Sequence, residues 1–220
     1  MTIRFVFFDI GNVLYRFDPQ RSYRQIAEVL RSHPEADDVG KSTTVIEADQ
    51  VRYHMADLGL GDAIERGELS TEQWASHLRD GLEIPHAVAP ETLAAAAGDM
   101  FTLIEGMPDL VRRIRPNCQL GLLSNTCDPH WRNLLSKPDG MIASIEHRVL
   151  SFEVGAMKPA AKIYEAAEKV ANRFAEPHQV LFFDDKIENV AAARRRGWKA
   201  EVTSGLREVR DASIRHGVAV

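Results

Sequence analysis

The sequence predicts an α/β fold: a doubly wound, Rossmann-like parallel sheet with a helical cap domain inserted into it. Three observations carry that prediction. Apolar runs without polar alternation, "FVFF" from Phe5, "LGLL" from Leu120 and "VLFF" from Val180, suit strands covered on both faces, as a parallel sheet requires. Helix-forming stretches separate the later runs, and strands alternating with helices imply parallel pairing. Between the first run and the rest, about residues 20–97 have helical composition and no strand-like run. The expected division is a core of 1–19 and 98–220 with a helical cap of 20–97. A chain of 220 residues, 45% of them hydrophobic, is long enough for one such core with a smaller unit attached.

Taken in order, the first strand runs to Asp9, and Gly11, Asn12 and Val13 follow as a turn. In the insert, "YRQIAEVLRSH", "STTVIEADQVRYHMADLG", "STEQWASHLRDGL" and "APETLAAAAGDMF" read as helices separated by Gly or Pro. Ser70 or Thr71 supplies an N-cap, with Glu72 or Gln73 shortly after and Trp74 and Leu78 at helical spacing. "PDLVRRIRPN" is a helix closed by Pro116, and "CQLGLLSNT" is a strand. "KPAAKIYEAAEKVANRF" is a helix expected to begin at Pro159, "QVLFFDD" a strand, "IENVAAARRRGW" a helix and "KAEVT" a strand.

A net charge of −5 without long single-sign blocks argues against a nucleic-acid surface, and no run approaches the roughly 18 apolar residues of a membrane span. The opening "MTIRFVFFDIG" is too short in apolar length for a signal segment and leads straight into the first strand, so a mature, cytoplasmic protein is expected, as a monomer or homodimer. Cys118 and Cys127 form no metal motif and are expected as free thiols, one in a strand and one in a loop.

Three apolar strands end in polar groups: Asp9, then Ser124 with Asn125, then Asp184 with Asp185. In a parallel sheet these ends share one edge, where open α/β sheets bind ligands. Carboxylates gathered there repel one another unless a cation compensates, and hard oxygen ligands suit Mg²⁺. Lys158, ahead of Pro159 at a helix start, aims a positive charge at the same edge. A hydroxyl, an amide, an ammonium and a metal make a cradle for a phosphoryl group, with Asp9 placed as nucleophile and a small phosphorylated molecule as substrate. Plainer readings stand beside these: Asp9 as a turn former, Asp184 or Asp185 as a helix N-cap, and Lys158 as a surface lysine.

"DIGNVL", "LLSNT", "MKP" with its helix and "FFDDKIENV", in this order, resemble the four motifs of the haloacid dehalogenase superfamily, in particular its phosphatases with a helical cap after the first strand. The resemblance covers nearly the whole chain. It implies that Asp9 is nucleophile and metal ligand, that the Gly11 carbonyl is a second ligand, and that Asp185 binds Mg²⁺ with Asp184 beside it. Ser124 and Asn125 would hold the phosphoryl group and Lys158 would offset its charge. Asn189 stands where many members have another acid. "FD-aliphatic-GNV", with "ERGELS" and "SNT...HW", also resembles a bacterial subgroup that includes a phosphatase of α-glucose 1-phosphate, which points to sugar phosphates.

One position departs from the pattern. Typical phosphatases of the family carry an Asp two residues after the nucleophile to protonate the leaving oxygen and activate water, and here Gly11 has no side chain to do either. Losing that help costs about 10²–10⁴ in rate, which weakens catalysis without abolishing it. Asp18 in "YRFDPQR", or a metal-organised water, is a candidate to supply part of the missing proton transfer, against the reading that Asp18 caps the chain entering the insert. In the insert, Glu65, Arg66 and Glu68 either form a substrate-reading lid edge, with Arg66 binding substrate, or are a solvated helix end closed by Gly67. His130 and Trp131 either meet substrate or pack at the rim, and Arg194 to Arg196 are a solvated last turn. Two other functions fit the same residues. A haloacid dehalogenase uses the same nucleophile without a metal, which the Asp184–Asp185 pair disfavours. A binding or regulatory protein could retain the fold with weak chemistry, a reading that Gly11 makes real.

Overall fold

A computed structural model describes residues 2–32, 46–84 and 88–220. Among the described residues seven strands form two sheets. β1 (Phe5–Phe8) is the centre of a five-stranded sheet, flanked by β4 (Gln119–Ser124) and β6 (Val180–Asp184), with β5 (His147–Leu150) and β7 (Lys199–Val202) at the edges in the order β5-β4-β1-β6-β7. Every pairing is parallel. The remaining strands, β2 (Tyr15–Phe17) and β3 (Phe101–Leu103), pair antiparallel and bring the two ends of the insert together.

The apolar runs split by alternation, as buried strands do. Val6 and Phe8 join one core with α6 (Met107–Ile114), α7 (Asp128–Leu135), α8 (Met141–Ser144) and α12 (Leu206–Arg215), whereas Phe5 and Phe7 join the opposite core with α10 (Ala161–Ala171) and α11 (Ile187–Arg195). The short α9 (Ser151–Val154) follows β5. Gly121, level with Phe7 on the neighbouring strand, has a packing reason: a Cβ there would come within 2.7 Å of the Phe7 ring and 2.9 Å of the Phe5 ring.

The insert contains α1 (Pro19–Arg31), α2 (Ala48–Arg52) continued as a π-helical turn over Tyr53–Asp57, α3 (Leu60–Glu65), α4 (Thr71–Gly81) and α5 (Pro90–Gly98), around its own apolar cluster of Ile26, Leu30, Trp74, Leu78 and Leu93. Ser70 caps α4 with Gln73 in a reciprocal capping box, as its spacing predicts. The insert rests on the core through α5, where Gly98 approaches α7 so closely that a Cβ would lie 2.7 Å from the Pro129 carbonyl oxygen.

The sequence reading needs several corrections. The helix expected from Pro159 begins at Ala161, because Ala160 keeps an extended backbone, and Lys158 and Pro159 occupy the turn before it. Strands β2, β3 and β5 and helices α7, α8, α9 and α12 go beyond the elements that the sequence pattern predicts. Cys118 lies just before β4 rather than within it, and both cysteines are free and buried. Ser42 to Val45, at the start of one expected helical stretch, fall outside the described residues. Among the described residues no helix is long and apolar enough to cross a membrane.

Candidate active site

The register of the three central strands builds the site. Phe8 lies opposite Leu122 and Phe183, so Asp9 follows at the level where β4 ends in Ser124 and β6 in Asp184. The Asp9 amide donates to the Phe183 carbonyl at 2.9 Å and fixes that level. Lys158 reaches in from the turn before α10, and its buried ammonium uses all its donors: Asp184 Oδ2 at 2.6 Å, the Leu123 carbonyl at 2.8 Å and Asp9 Oδ1 at 2.9 Å. Asn125 holds that turn, since its Oδ1 accepts from the Lys158 amide at 2.7 Å and its Nδ2 donates to the Lys158 carbonyl at 3.1 Å.

Asp184 is surrounded by donors. Its Oδ1 accepts from the Lys186 amide at 2.8 Å and Asn189 Nδ2 at 2.9 Å, and its Oδ2 accepts from Asn189 at 3.1 Å as well as from Lys158. Asn189, at the position where the resemblance puts another acid in many members, serves here as a donor that locks Asp184. Neither Asp184 nor Asp185 occupies the N-cap position of α11, which belongs to Lys186. Asp9 carries its bonds on Oδ1, from the Ile10 amide at 2.8 Å, Ser124 Oγ at 2.7 Å and Lys158. Its Oδ2 has no donor among the described residues. Asp185 is held by one bond, from Asn12 Nδ2 to its Oδ2 at 2.9 Å. Asn12 makes that reach from a left-handed backbone, φ +57°.

Charge is balanced within this cluster. Burial works against the Lys158 ammonium, but the Asp9 and Asp184 carboxylates outweigh it and raise its pKa above the ordinary lysine value. Burial raises the Asp9 carboxyl, with Lys158 and Ser124 pulling it down and Asp184 pushing it further up. A divalent cation would reverse that rise. Asp9, Asp184 and Asp185 each offer an oxygen within 4.8 Å of the others, a hard, anionic donor set that could hold Mg²⁺. The free oxygens of Asp9 and Asp185 suit it best, with Asp184 supplying charge behind them.

The crevice above Asp9, about 180 Å³, is walled on the core side by Ser124, Asn125, Thr126, Lys158 and Asp185 and closed from the insert by Asp62 and Glu65. His130, the first residue past the Pro at the start of α7, and Phe17 of β2 complete the wall. A second cavity of about 160 Å³, mostly apolar, extends into the insert between Tyr23, Met55, Trp74 and Met100, and shares Phe17, Asp62, Glu65 and His130 with the crevice. Burial lowers the His130 pKa to about 4, so the imidazole is neutral near pH 7 and its 4.0 Å approach to Glu65 is not an ion pair. Burial, with Asp62 adding to it, raises the Glu65 carboxyl to about 7.

Gly67 explains why Glu65 sits there. It takes φ +68° after α3, the Gly67 and Glu68 amides donate to the Ile64 and Ala63 carbonyls, and a Cβ on Gly67 would come within 2.3 Å of the Phe152 carbonyl oxygen. The same glycine thus ends the helix and seats the edge of the insert against the core. Glu65 and its neighbours part company at that point. Arg66 turns outward and pairs with Glu68 at 2.7 Å and Asp62 at 3.7 Å, away from the crevice.

Asp18 is not brought to the crevice. It is the N-cap of α1, accepting from the Arg21 amide at 3.2 Å and pairing with Arg24 at 3.6 Å, with its side chain 54% exposed. Its helix-capping role wins because Pro19 and the α1 amides follow it directly. Gly11 lies on the crevice wall with an ordinary backbone, and a Cβ there would meet Phe17 at 3.6 Å, a normal contact. A side chain is therefore missing from this position without a steric reason. Sequence reasoning passed over Asn12, Asp62 and Lys186 and left Glu65 undecided. The signal for Glu65 was the glycine two positions on, but a helix end looks the same from sequence.

A family model described as haloacid dehalogenase-like hydrolase matches residues 3–197. Nothing among curated proteins matches the chain. Among solved structures, a HAD family enzyme of Bacteroides thetaiotaomicron is similar at 20% identity and TM-score 0.76, over 96% of this chain and 99% of that one. The same enzyme in complex with magnesium and inorganic phosphate aligns at 20% identity and TM-score 0.71, over 92% and 95%. An L-2-haloacid dehalogenase of Xanthobacter autotrophicus aligns at 19% identity and TM-score 0.59, over 96% and 82%. At these identities the structural likeness shows the fold.

Proposed function

The chain belongs to the haloacid dehalogenase-like hydrolase family, and on that premise we propose that it is a Mg²⁺-dependent phosphatase of small phosphate monoesters, with sugar phosphates as the expected class. The observation that carries this reading is the Lys158 ammonium held between Asp9 and Asp184, beside the three-carboxylate cluster. Displacing halide from carbon needs no divalent cation, so a three-carboxylate cluster that could hold one favours the phosphatase over the dehalogenase. In this reading Asp9 attacks phosphorus and carries the phosphoryl group as an aspartyl-phosphate. Ser124 and Lys158 orient Asp9 before attack and then turn their hydroxyl and ammonium hydrogens to the phosphoryl oxygens. Asn125 keeps the Lys158 turn in place. Bound Mg²⁺ would neutralise phosphoryl charge and be held by Asp9, Asp185 and the Gly11 carbonyl, with Asp184 behind. The magnesium and phosphate bound by the Bacteroides enzyme support the same assignment.

The test is phosphate release from a broad panel of metabolite esters, with Mg²⁺ and with chelator, beside Asp9→Asn. Turnover of a sugar phosphate that requires both the metal and Asp9 is the expected result. Metal binding without turnover of any ester would instead favour a binding protein, and metal-independent halide release from a 2-haloacid would favour the dehalogenase.

A further inference from the structure

Gly11 leaves the leaving-group oxygen without its usual proton donor, and the crevice contains a carboxyl from the opposite side, Glu65, to which the resemblance gives no role in proton transfer. We propose that Glu65, reaching down from the insert at the neck between the crevice and the apolar cavity, is the general acid that protonates the leaving oxygen. The proposal rests on the phosphatase reading above. The geometry is that of a neck: Glu65 and His130 line both chambers, one holding Asp9, Ser124 and Lys158, the other lined by Tyr23, Met55 and Trp74. An ester with its phosphoryl group on Asp9 and its organic part in the cavity has its bridging oxygen at that neck.

The groups around Glu65 keep its proton in place at neutral pH. Asp62 on its own helix, Asp9 from the core, Tyr23 from α1 and Cys127 ahead of α7 offer no positive charge, and His130 is neutral. Lys186 and Lys158 act in the opposite direction but do not outweigh burial, and the carboxyl titrates at about 7. That value suits an acid that must hold a proton before the step and release it during the step. Its position is set by Gly67 packed on Phe152, and among the described residues no hydrogen bond reaches the carboxyl itself.

The step balances. An Asp9 carboxylate oxygen bonds to phosphorus, the bond from phosphorus to the ester oxygen breaks, and the Glu65 O–H gives its proton to that oxygen, which leaves as an alcohol. Water then attacks the aspartyl-phosphate, the bond between phosphorus and the Asp9 oxygen breaks, and the proton lost by water returns to Glu65.

The experiment is a leaving-group series at pH 6.5 with Mg²⁺, comparing kcat/KM for phenyl phosphate and p-nitrophenyl phosphate in the full chain and in Glu65→Gln. Because kcat/KM reports the steps up to release of the alcohol, only a donor to the leaving oxygen makes the loss depend on that oxygen's basicity. The expected loss is about 10²-fold for phenyl phosphate and under about threefold for p-nitrophenyl phosphate. Glu65→Asp should recover part of the phenyl phosphate rate, and Gly11→Asp should restore it in the Glu65→Gln chain, since a Cβ fits at Gly11. Equal loss for both esters, in a variant that melts no lower than the unaltered chain, would overturn the proposal and leave the phosphatase reading intact. No hydrolysis of either aryl ester, or of any ester in the metabolite panel, by the unaltered chain would overturn both.

Discussion

The two walls of the crevice are built on opposite plans. On the core side the innermost charges are over-held: Lys158 spends all its donors, Asp184 accepts on both oxygens, and Asn125 clamps the turn that carries the lysine. On the insert side Glu65 is largely but not fully buried and accepts no hydrogen bond among the described residues, and His130 is too buried to charge near pH 7. A saturated network fixes geometry and charge, whereas an under-held buried carboxyl keeps a proton it can give away. Positioning and proton transfer need these opposite arrangements, and the fold assigns them to sheet and insert respectively.

The comparison breaks most severely at Asp9. Asp9→Asn removes the nucleophile while the Phe183 and Ile10 backbone contacts stay, so turnover should fall by about 10⁴-fold or more with the melting temperature nearly unchanged. Steady-state phosphate release and a thermal melt check it together, and residual activity within tenfold would move the nucleophile elsewhere. Lys158→Met comes next. It leaves Asp9 and Asp184 facing each other in a buried site, so stability should drop by about 3–5 kcal/mol at pH 8 in chelator. Mg²⁺ should restore part of that loss by supplying the missing positive charge. Denaturant melts with and without the metal read both effects, and no metal dependence in the variant would mean that the carboxylates do not share a cation.

How far the sequence revealed this site follows the same division. The core wall was legible because each part is announced by burial: unbroken apolar runs ending in Asp9, Ser124 and Asp184 leave little but a shared strand edge for those polar groups. The missing strands are short, as with Tyr15–Phe17 and Phe101–Leu103, and too few residues show a period for pattern to be read. The insert wall was illegible for a different reason. "IERGELS" has the composition of any solvated helix end, and what distinguishes Glu65 from Arg66 is which way α3 faces when Gly67 meets Phe152, a contact 85 positions away in the chain. Asp18 misled for the converse reason, since an acid near the motif with a proline after it fits both a cap and a catalyst.

Asp18→Ala tests that last distinction. It should cost about 1 kcal/mol of stability through the lost cap of α1 and leave kcat/KM within about twofold, and a large fall in rate would return Asp18 to the mechanism.

The finest test of the two-wall contrast uses pH without substrate or metal. Glu65 titrates at about 7 when folded, above its ordinary 4.5, so between those values the folded state holds a proton that the unfolded state has released. Stability from this group is therefore present below about 4.5 and lost as pH rises through about 7. Glu65→Gln cannot ionise, and relative to the unaltered chain it should gain on the order of 1 kcal/mol at pH 8 and nothing at pH 4.5, well short of the full shift because its side chain is 21% exposed. Denaturant melts across that range give the difference directly. A variant equally stable relative to wild type at both pH values would mean that Glu65 is ionised in the folded protein. The insert wall would then be as firmly charged as the core wall, and the proton would have to come from elsewhere.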